Sequence, residues 1–489
     1  MKRYLIALLA VGFALASCSS DAKSSPASEG SAATVVATSV AASTTAATTT
    51  MPGVSTTSVA PATTVRPGPV GDVLNVPADY PTIQKAVDSA KPGALILISP
   101  GTYHEAVNVT TDNLTIRGLD RNTVILDGQL KLDNGVRVLG AKGVTVENMT
   151  ATNYTSNGFF WTGVTGYHGS YLTAYRTGDY GVYAFDSSKG QLDHVYAAGS
   201  PDAGVYIGEC FPCDAVIDRI VSEHNGLGYS GTNSGGNLLV INSVFRFNRA
   251  GIVPNSGSYE LCYPERQTTI VGNVVYSNNQ ADTPAIDVAL LAMGNGIIPA
   301  GGVLNVIERN RVYDHDKGGI SLVPFLENDP NDALPDPSTW TTSCAESKTR
   351  PVTEPAGPIL WDSQQNRVIG NVLENNRVAD ILVASLGDVS TLGNCFADNG
   401  AASSFPKNIE KLAPCDAKGS GDWNDGKYDI ASWLSEVHPP SVDWQTATLP
   451  PLQPQEQMPD AATAPAHPAT NVPEVVNLDD IKVPDKPVS

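Results

Sequence analysis

The chain has 489 residues and a formal net charge of −20, from 30 Lys+Arg against 50 Asp+Glu. No run of basic residues breaks that balance, so nucleic acid is excluded as a natural partner. The length could hold two or three domains, but an internal repeat argues for one long domain with tails.

In chain order, Met1-Lys-Arg precedes an apolar run from Tyr4 to Ala16 and then Leu15-Ala16-Ser17-Cys18. A charged start, a short apolar core and small residues before a cut describe an export signal over 1–17, too short to span a membrane. The last four residues resemble a bacterial lipobox, which implies cleavage before Cys18, lipid on its thiol and anchoring to the outer face of the cell membrane. Residues 18–70 are almost all Ala, Ser, Thr and Val with scattered Pro. Such a segment has little to bury and is expected to be a disordered stalk, with a reach on the order of 40 Å.

The domain is expected over 71–415. It opens with Thr82, Ile83, Ala86, Val87 and Ala90 at helical spacing, which predicts a cap helix closing the end of a solenoid. The repeat follows, with Leu192-Asp-His-Val-Tyr, Ile217-Asp-Arg-Ile-Val and Ile241-Asn-Ser-Val-Phe each leading into a second short strand. Taking His194, Arg219 and Ser243 as markers, the spacings are 25 and 24. The markers extend upstream to Asn148 and Tyr171 and downstream to Asn273, Asn310 and Asn371 at growing intervals. The growth marks insertions at 256–268, 280–303 and 326–362, which in a solenoid become loops on one face.

Five residues past each marker stand Asn153, Arg176, Gly199, His224, Asn248, Asn278, His315 and Asn376, a column expected to form an Asn ladder. Strands of this length without helical periodicity predict an all-β, single-stranded right-handed parallel β-helix with an N-terminal cap helix. On these residues the chain resembles the pectate-lyase-like β-helix superfamily, from about Val73 to Cys415. The first coil, with Gly101, Tyr103 and Glu105, is similar to the start of pectin methylesterases, but that family's catalytic motifs do not follow.

Seven Cys less Cys18 leave Cys210, Cys213, Cys262, Cys344, Cys395 and Cys415, an even set that argues for disulfides in an exported protein. Cys395 with Cys415 is the favoured pair. Cys210 and Cys213 read as a structural bridge, with a zinc or redox pair as the alternative. Residues 416–448 are expected to form a C-terminal cap, with a helix over 430–437 on the end of the solenoid, and 449–489 a disordered Pro-rich tail.

The second strand of each unit places Phe160, Tyr183 and Tyr206 on the outer surface, an aromatic stripe suited to stacking sugar rings. Beside it, Asp186 and Glu209 would lie on neighbouring rungs, the arrangement of a retaining glycosidase or of two solvated turn carboxylates. Tyr313-Asp-His-Asp-Lys317 resembles the Asp-Pro-His-Asp of alginate-type epimerases and would make His315, Asp316 and Lys317 catalytic, or His315 a ladder residue. Arg249, Arg246 and Lys317 are the nearest cations for a uronate. Together these predict a monomeric cell-surface protein whose partner is a polysaccharide or cell-wall glycan, as a lyase, epimerase or hydrolase or as a non-catalytic binding module. No metal or cofactor motif stands out, and Ca2+ stays open.

Overall fold

A computed structural model describes residues 72–487, so the export segment, Cys18 and the stalk lie outside the described residues. One coil shows how the sequence makes the fold. In the strand Lys142–Tyr154, Val144, Val146, Met149 and Ala151 point inward and are wholly buried, and the return strand Asn157–Thr162 adds Phe159 and Trp161. Each of the larger of these side chains contributes about 1.5–3 kcal/mol by leaving water, and Ala151 less. The long strand bends at Asn148, whose φ of 57° is left-handed, a conformation Asn tolerates better than most residues.

Every neighbouring coil pairs in parallel. Thr173 pairs with Tyr196, Tyr196 with Val221, Val221 with Val244, Val244 with Val274, Val274 with Arg311 and Arg311 with Val372. The offsets are therefore 23, 25, 23, 30, 37 and 61 residues. The result is a parallel β-helix with one 20-stranded sheet, bent at the corner, and a second, seven-stranded sheet facing it.

The register corrects one expectation. His194 and Arg219 are left-handed corners, with φ of 51° each, but in the next coil the corner is Asn242 rather than Ser243. The same slip moves the ladder, so that Asn225 takes the place expected for His224. Asn225 Oδ1 accepts from the Ser200 amide at 2.9 Å, Asn248 from Asn225 at 2.9 Å, and Asn278 from Asn248 at 3.1 Å. His224 sits outside the ladder, half-buried and stacked on Phe247. A second ladder runs from Ser243 through Asn273, Asn310 and Asn371 to Asn399.

The cap helix spans Ile83–Ser89, with the Thr82 side chain accepting from the Lys85 amide. Glu105, from the Gly-x-Tyr-x-Glu segment, accepts from the amides of Ile83 and Gln84 at 3.0 Å each. That segment therefore holds the cap on. Three disulfides form, Cys210–Cys213, Cys262–Cys344 and Cys395–Cys415. The second joins the first and third insertions.

The C-terminal segments differ from expectation. The helix Ile430–Leu434 packs on the flank of the solenoid, not its end, with Trp433 Nε1 donating to the Leu291 carbonyl at 3.2 Å. The segment expected to be a disordered tail lies along the outside of the coils over its described length. Its carbonyls are taken by arginines: Arg121 binds Glu456, Arg117 binds Ala464 and Pro465, and Arg311 binds Pro484, while Arg176 binds Trp444, Gln445 and Ala447 in the segment just before it. Between short turns at 460–464 and Leu478–Asp480 the segment is extended, and extended Pro-rich backbone makes no internal hydrogen bonds, so its carbonyls are free for such donors. Ile481 then covers Val216, Ile241 and Val271 on the outer face.

Candidate functional site

The outer face of the seven-stranded sheet carries one residue per rung in register: Arg137, Phe160, Tyr183, Tyr206, Ser230 and Val253. The predicted aromatic stripe exists, but it is not uniformly open. Phe160 and Tyr183 are half-buried and stacked, with ring centroids 4.7 Å apart at 18°. Tyr206 points outward yet is wholly buried, because the 256–268 insertion folds over it and Glu260 accepts its hydroxyl at 2.6 Å. Beyond Tyr206 the row is roofed by the helices Asp287–Ala292 and Ile430–Leu434. The open part of the face is thus Arg137, Phe160 and Tyr183.

Beside this platform lies a group that sequence reasoning missed. Tyr180 stacks on Tyr183, with centroids 4.2 Å apart at 6°, and its hydroxyl donates to Asp202 Oδ2 at 2.6 Å. Asp179 stands one rung away, its carbonyl accepting from the Asp202 amide at 3.2 Å. Burial pushes Asp179 up to about 6, and burial together with the Asp179 charge pushes Asp202 well above the usual carboxylate range. The Oδ1 of Asp202 is buried without a partner among the described residues. Burial thus holds both carboxyls toward the protonated form on adjacent rungs, and among the described residues no hydrogen bond joins their side chains. Asp179 and Asp202 are 23 residues apart, one coil, and both stand eight residues past their markers. That common column was the available signal.

Asp186 and Glu209 are brought together, at the other edge of the platform, by Lys348 of the third insertion. Its Nζ is 2.6 Å from Asp186 and 3.8 Å from Glu209. Both carboxylates occupy left-handed corners, with φ of 47° and 52°. Burial holds Glu209 above its ordinary range while Lys348 opposes the shift. The pair is therefore an ion-paired turn rather than a free acid–base couple.

The structure separates the other predicted residues from the platform. His315 lies inside the ladder, 1% exposed, where its Nε2 accepts from Asn278 Nδ2 and its Nδ1 donates to Asn376 Oδ1. Burial lowers it to about 4, so it is neutral and structural. Asp316 is exposed, while Lys317 pairs with Glu436 at 2.8 Å and lies over the Trp433 ring. Arg249 is wholly buried and donates to the carbonyls of Ala281, Thr283, Pro439 and Pro440, holding loops instead of a substrate. Arg246 is tied to Glu223 and Tyr276 on another face. Among the described residues no group of three or more His, Cys, Asp or Glu is placed to hold a metal.

Residues 134–324 match the sequence model of a family described as a right handed beta helix region. The parallel coils and that match define the class, a right-handed parallel β-helix. No curated protein matches the chain. Among solved structures, it is similar to the A-module of a mannuronan C-5 epimerase from Azotobacter vinelandii, at 13% identity over 68% of this chain and 93% of that one, with a TM-score of 0.40. An alginate lyase from Paenibacillus sp. strain FPU-7 is 15% identical over 63% of this chain and 97% of its own, with a TM-score of 0.37. A pectate lyase is 12% identical over 80% and 91%, with a TM-score of 0.36. No activity follows from likeness at this level.

Proposed function

We propose that the chain binds a neutral polysaccharide on the Phe160–Tyr183 platform and cleaves its glycosidic bonds with Asp179 and Asp202 as the acid–base pair. The observation that carries this reading is the juxtaposition of a half-buried aromatic stack with two carboxyls on adjacent rungs that burial holds toward the protonated form. A sugar ring stacks its C–H face on Tyr183. Asp202, held protonated, gives its proton to the leaving oxygen as the glycosidic bond breaks, and Asp179 as carboxylate takes a proton from the water whose oxygen bonds to the anomeric carbon. Arg137, the cation of the row, is engaged by Asp133 at 3.2 Å and by Asn108 at 2.8 Å. A lyase or epimerase needs a free cation against the uronate, and this arrangement favours hydrolysis of a neutral chain instead.

The reading places the protein outside the cell, tethered through Cys18. The test of the activity is release of reducing ends from neutral polysaccharides by the native chain and by Asp179→Asn. Loss of cleavage with retained binding supports the assignment. Equal cleavage by the variant, or products carrying an unsaturated uronate, would sink it. Binding without any cleavage by the native chain would leave a glycan-binding surface module as the function. A Cys18→Ala variant should be released from membranes, and one that stays membrane-bound after signal cleavage contradicts the anchor.

A further inference from the structure

On the 20-stranded sheet, away from the platform, Glu147, Ser170 and Asp193 stand in register on adjacent rungs. Both carboxylates are buried and fully engaged. Glu147 Oε1 accepts from Arg117 Nε at 2.6 Å and Oε2 accepts from His467 Nε2 at 2.8 Å. Asp193 accepts from His168 Nε2 at 2.6 Å, Ser170 Oγ at 2.5 Å, His194 Nδ1 at 2.8 Å and Gln191 Nε2 at 2.9 Å. Arg117 Nη2 also lies 3.2 Å from His467 Nδ1. A guanidinium only donates, so that nitrogen is the acceptor and His467 carries its proton on Nε2.

Between the sheet and the C-terminal strap lies a cavity of about 550 Å³, with His168, Ser170 and Tyr171 on the solenoid side and Asp460, Thr463 and His467 on the strap side. The volume is in the range of small-molecule sites. Among the described residues, neither His168 Nδ1 nor the Tyr171 hydroxyl has a protein hydrogen-bond partner. Each ring is nevertheless fixed, His168 by its bond to Asp193 and Tyr171 by stacking on His194 with centroids 4.2 Å apart at 5°. Met458 and Pro459 add apolar wall. The buried charges are compensated in pairs, and the carboxylate at the mouth, Asp460, is exposed. Such a lining offers fixed hydrogen-bonding groups and ring faces, and each cationic group beside it is already paired with a carboxylate, which leaves none free for an anion.

We propose that this cavity is a second ligand site, distinct from the platform, which takes a neutral polyhydroxylated molecule of one or two sugar rings, contacted by His168 Nδ1 and the Tyr171 hydroxyl. It stands independently of the hydrolytic reading, since no platform residue lines it. The aromatic ring and the strap's apolar wall would meet a sugar's C–H face, while the imidazole and the phenol meet its hydroxyls.

The experiment is a titration of the full mature chain with glucose, galactose, mannose and N-acetylglucosamine, and with glucuronate and inorganic phosphate, read by calorimetry and by the histidine ring NMR signals. At least one neutral sugar should bind and shift the His168 signal, with glucuronate and phosphate at least tenfold weaker. His168→Gln keeps a donor toward Asp193 but loses the second ring nitrogen, and should weaken the sugar at least tenfold. Tyr171→Phe should weaken it several-fold, and in Tyr183→Ala, which disables the platform, the sugar-dependent shift of the His168 signal should persist. No binding by any of the four sugars, tighter binding of either anion, or unchanged affinity in both His168→Gln and Tyr171→Phe would overturn the proposal. Loss of this binding in Tyr183→Ala would also overturn it, by returning the signal to the platform.

Discussion

Asp179 ties stability to chemistry at a single residue. An unfolded Asp titrates near 3.9, whereas burial raises the folded group to about 6. The folded state therefore binds the proton more tightly, and as pH rises between those values the chain loses stability, with the full penalty present above about 6. Asp179→Asn removes the penalty and should stabilise the fold by about 1–2 kcal/mol at pH 7.5, with no gain at pH 3.5. Denaturant unfolding at the two pH values checks this, and equal effects at both would contradict the shift. His315 makes the opposite case. His315→Ala strands its partners on Asn278 and Asn376 and should cost about 2–3 kcal/mol, while His315→Asn continues the ladder and should cost under about 1 kcal/mol. A loss of glycan cleavage in His315→Asn with stability unchanged would show that the ring has a role beyond the ladder.

At the scale of elements, the C-terminal strap is the part the sequence concealed. The coils were legible because inward residues repeat at the length of a turn, and the Asn column marked the ladder beside the corners. The strap has no period to read. Its attachment is specified by Arg117, Arg121, Arg176 and Arg311 elsewhere in the chain, which bind carbonyls that any extended segment would present. The insertions were legible as lengths, but not as roofs, so Tyr206 could be placed on the outer face and its burial under Glu260 could not. The one-residue slip at Asn242 had a related cause, since a corner residue and its inward neighbour are both polar in that coil. Truncation after Asp443 should uncover Val216, Ile241 and Val271 and speed hydrogen exchange in the coils around Glu147 before those around Asn310. Uniform exchange across the solenoid would show that the strap adds nothing to local stability.

For the molecule as a whole, each coil contacts its neighbours, so damage should spread from the ends and from the insertions. The Cys395–Cys415 bridge spans the last coil, and its loss should fray that end first, at a cost of about 2–4 kcal/mol. Thiol counting on unfolded, unreduced mature protein should find none of the six cysteines of the solenoid free. The insertions gather on the seven-stranded sheet, bury its later rungs and leave Phe160 and Tyr183 open with Asp179 and Asp202 alongside. The central claim is that this opening is where a glycan binds. The most direct measurement is the affinity of the mature chain for neutral polysaccharides with Tyr183→Ala, set against Val205→Ala on the inward side of the next rung. Tyr183→Ala should lower affinity by up to about tenfold, since stacking on an aromatic contributes about 0.5–1.5 kcal/mol beyond buried area, with some loss of stability because the ring also stacks on Phe160 and Tyr180. Val205→Ala should cost about 2 kcal/mol of stability and leave affinity intact. Unchanged affinity in Tyr183→Ala, with the fold preserved, would contradict the account.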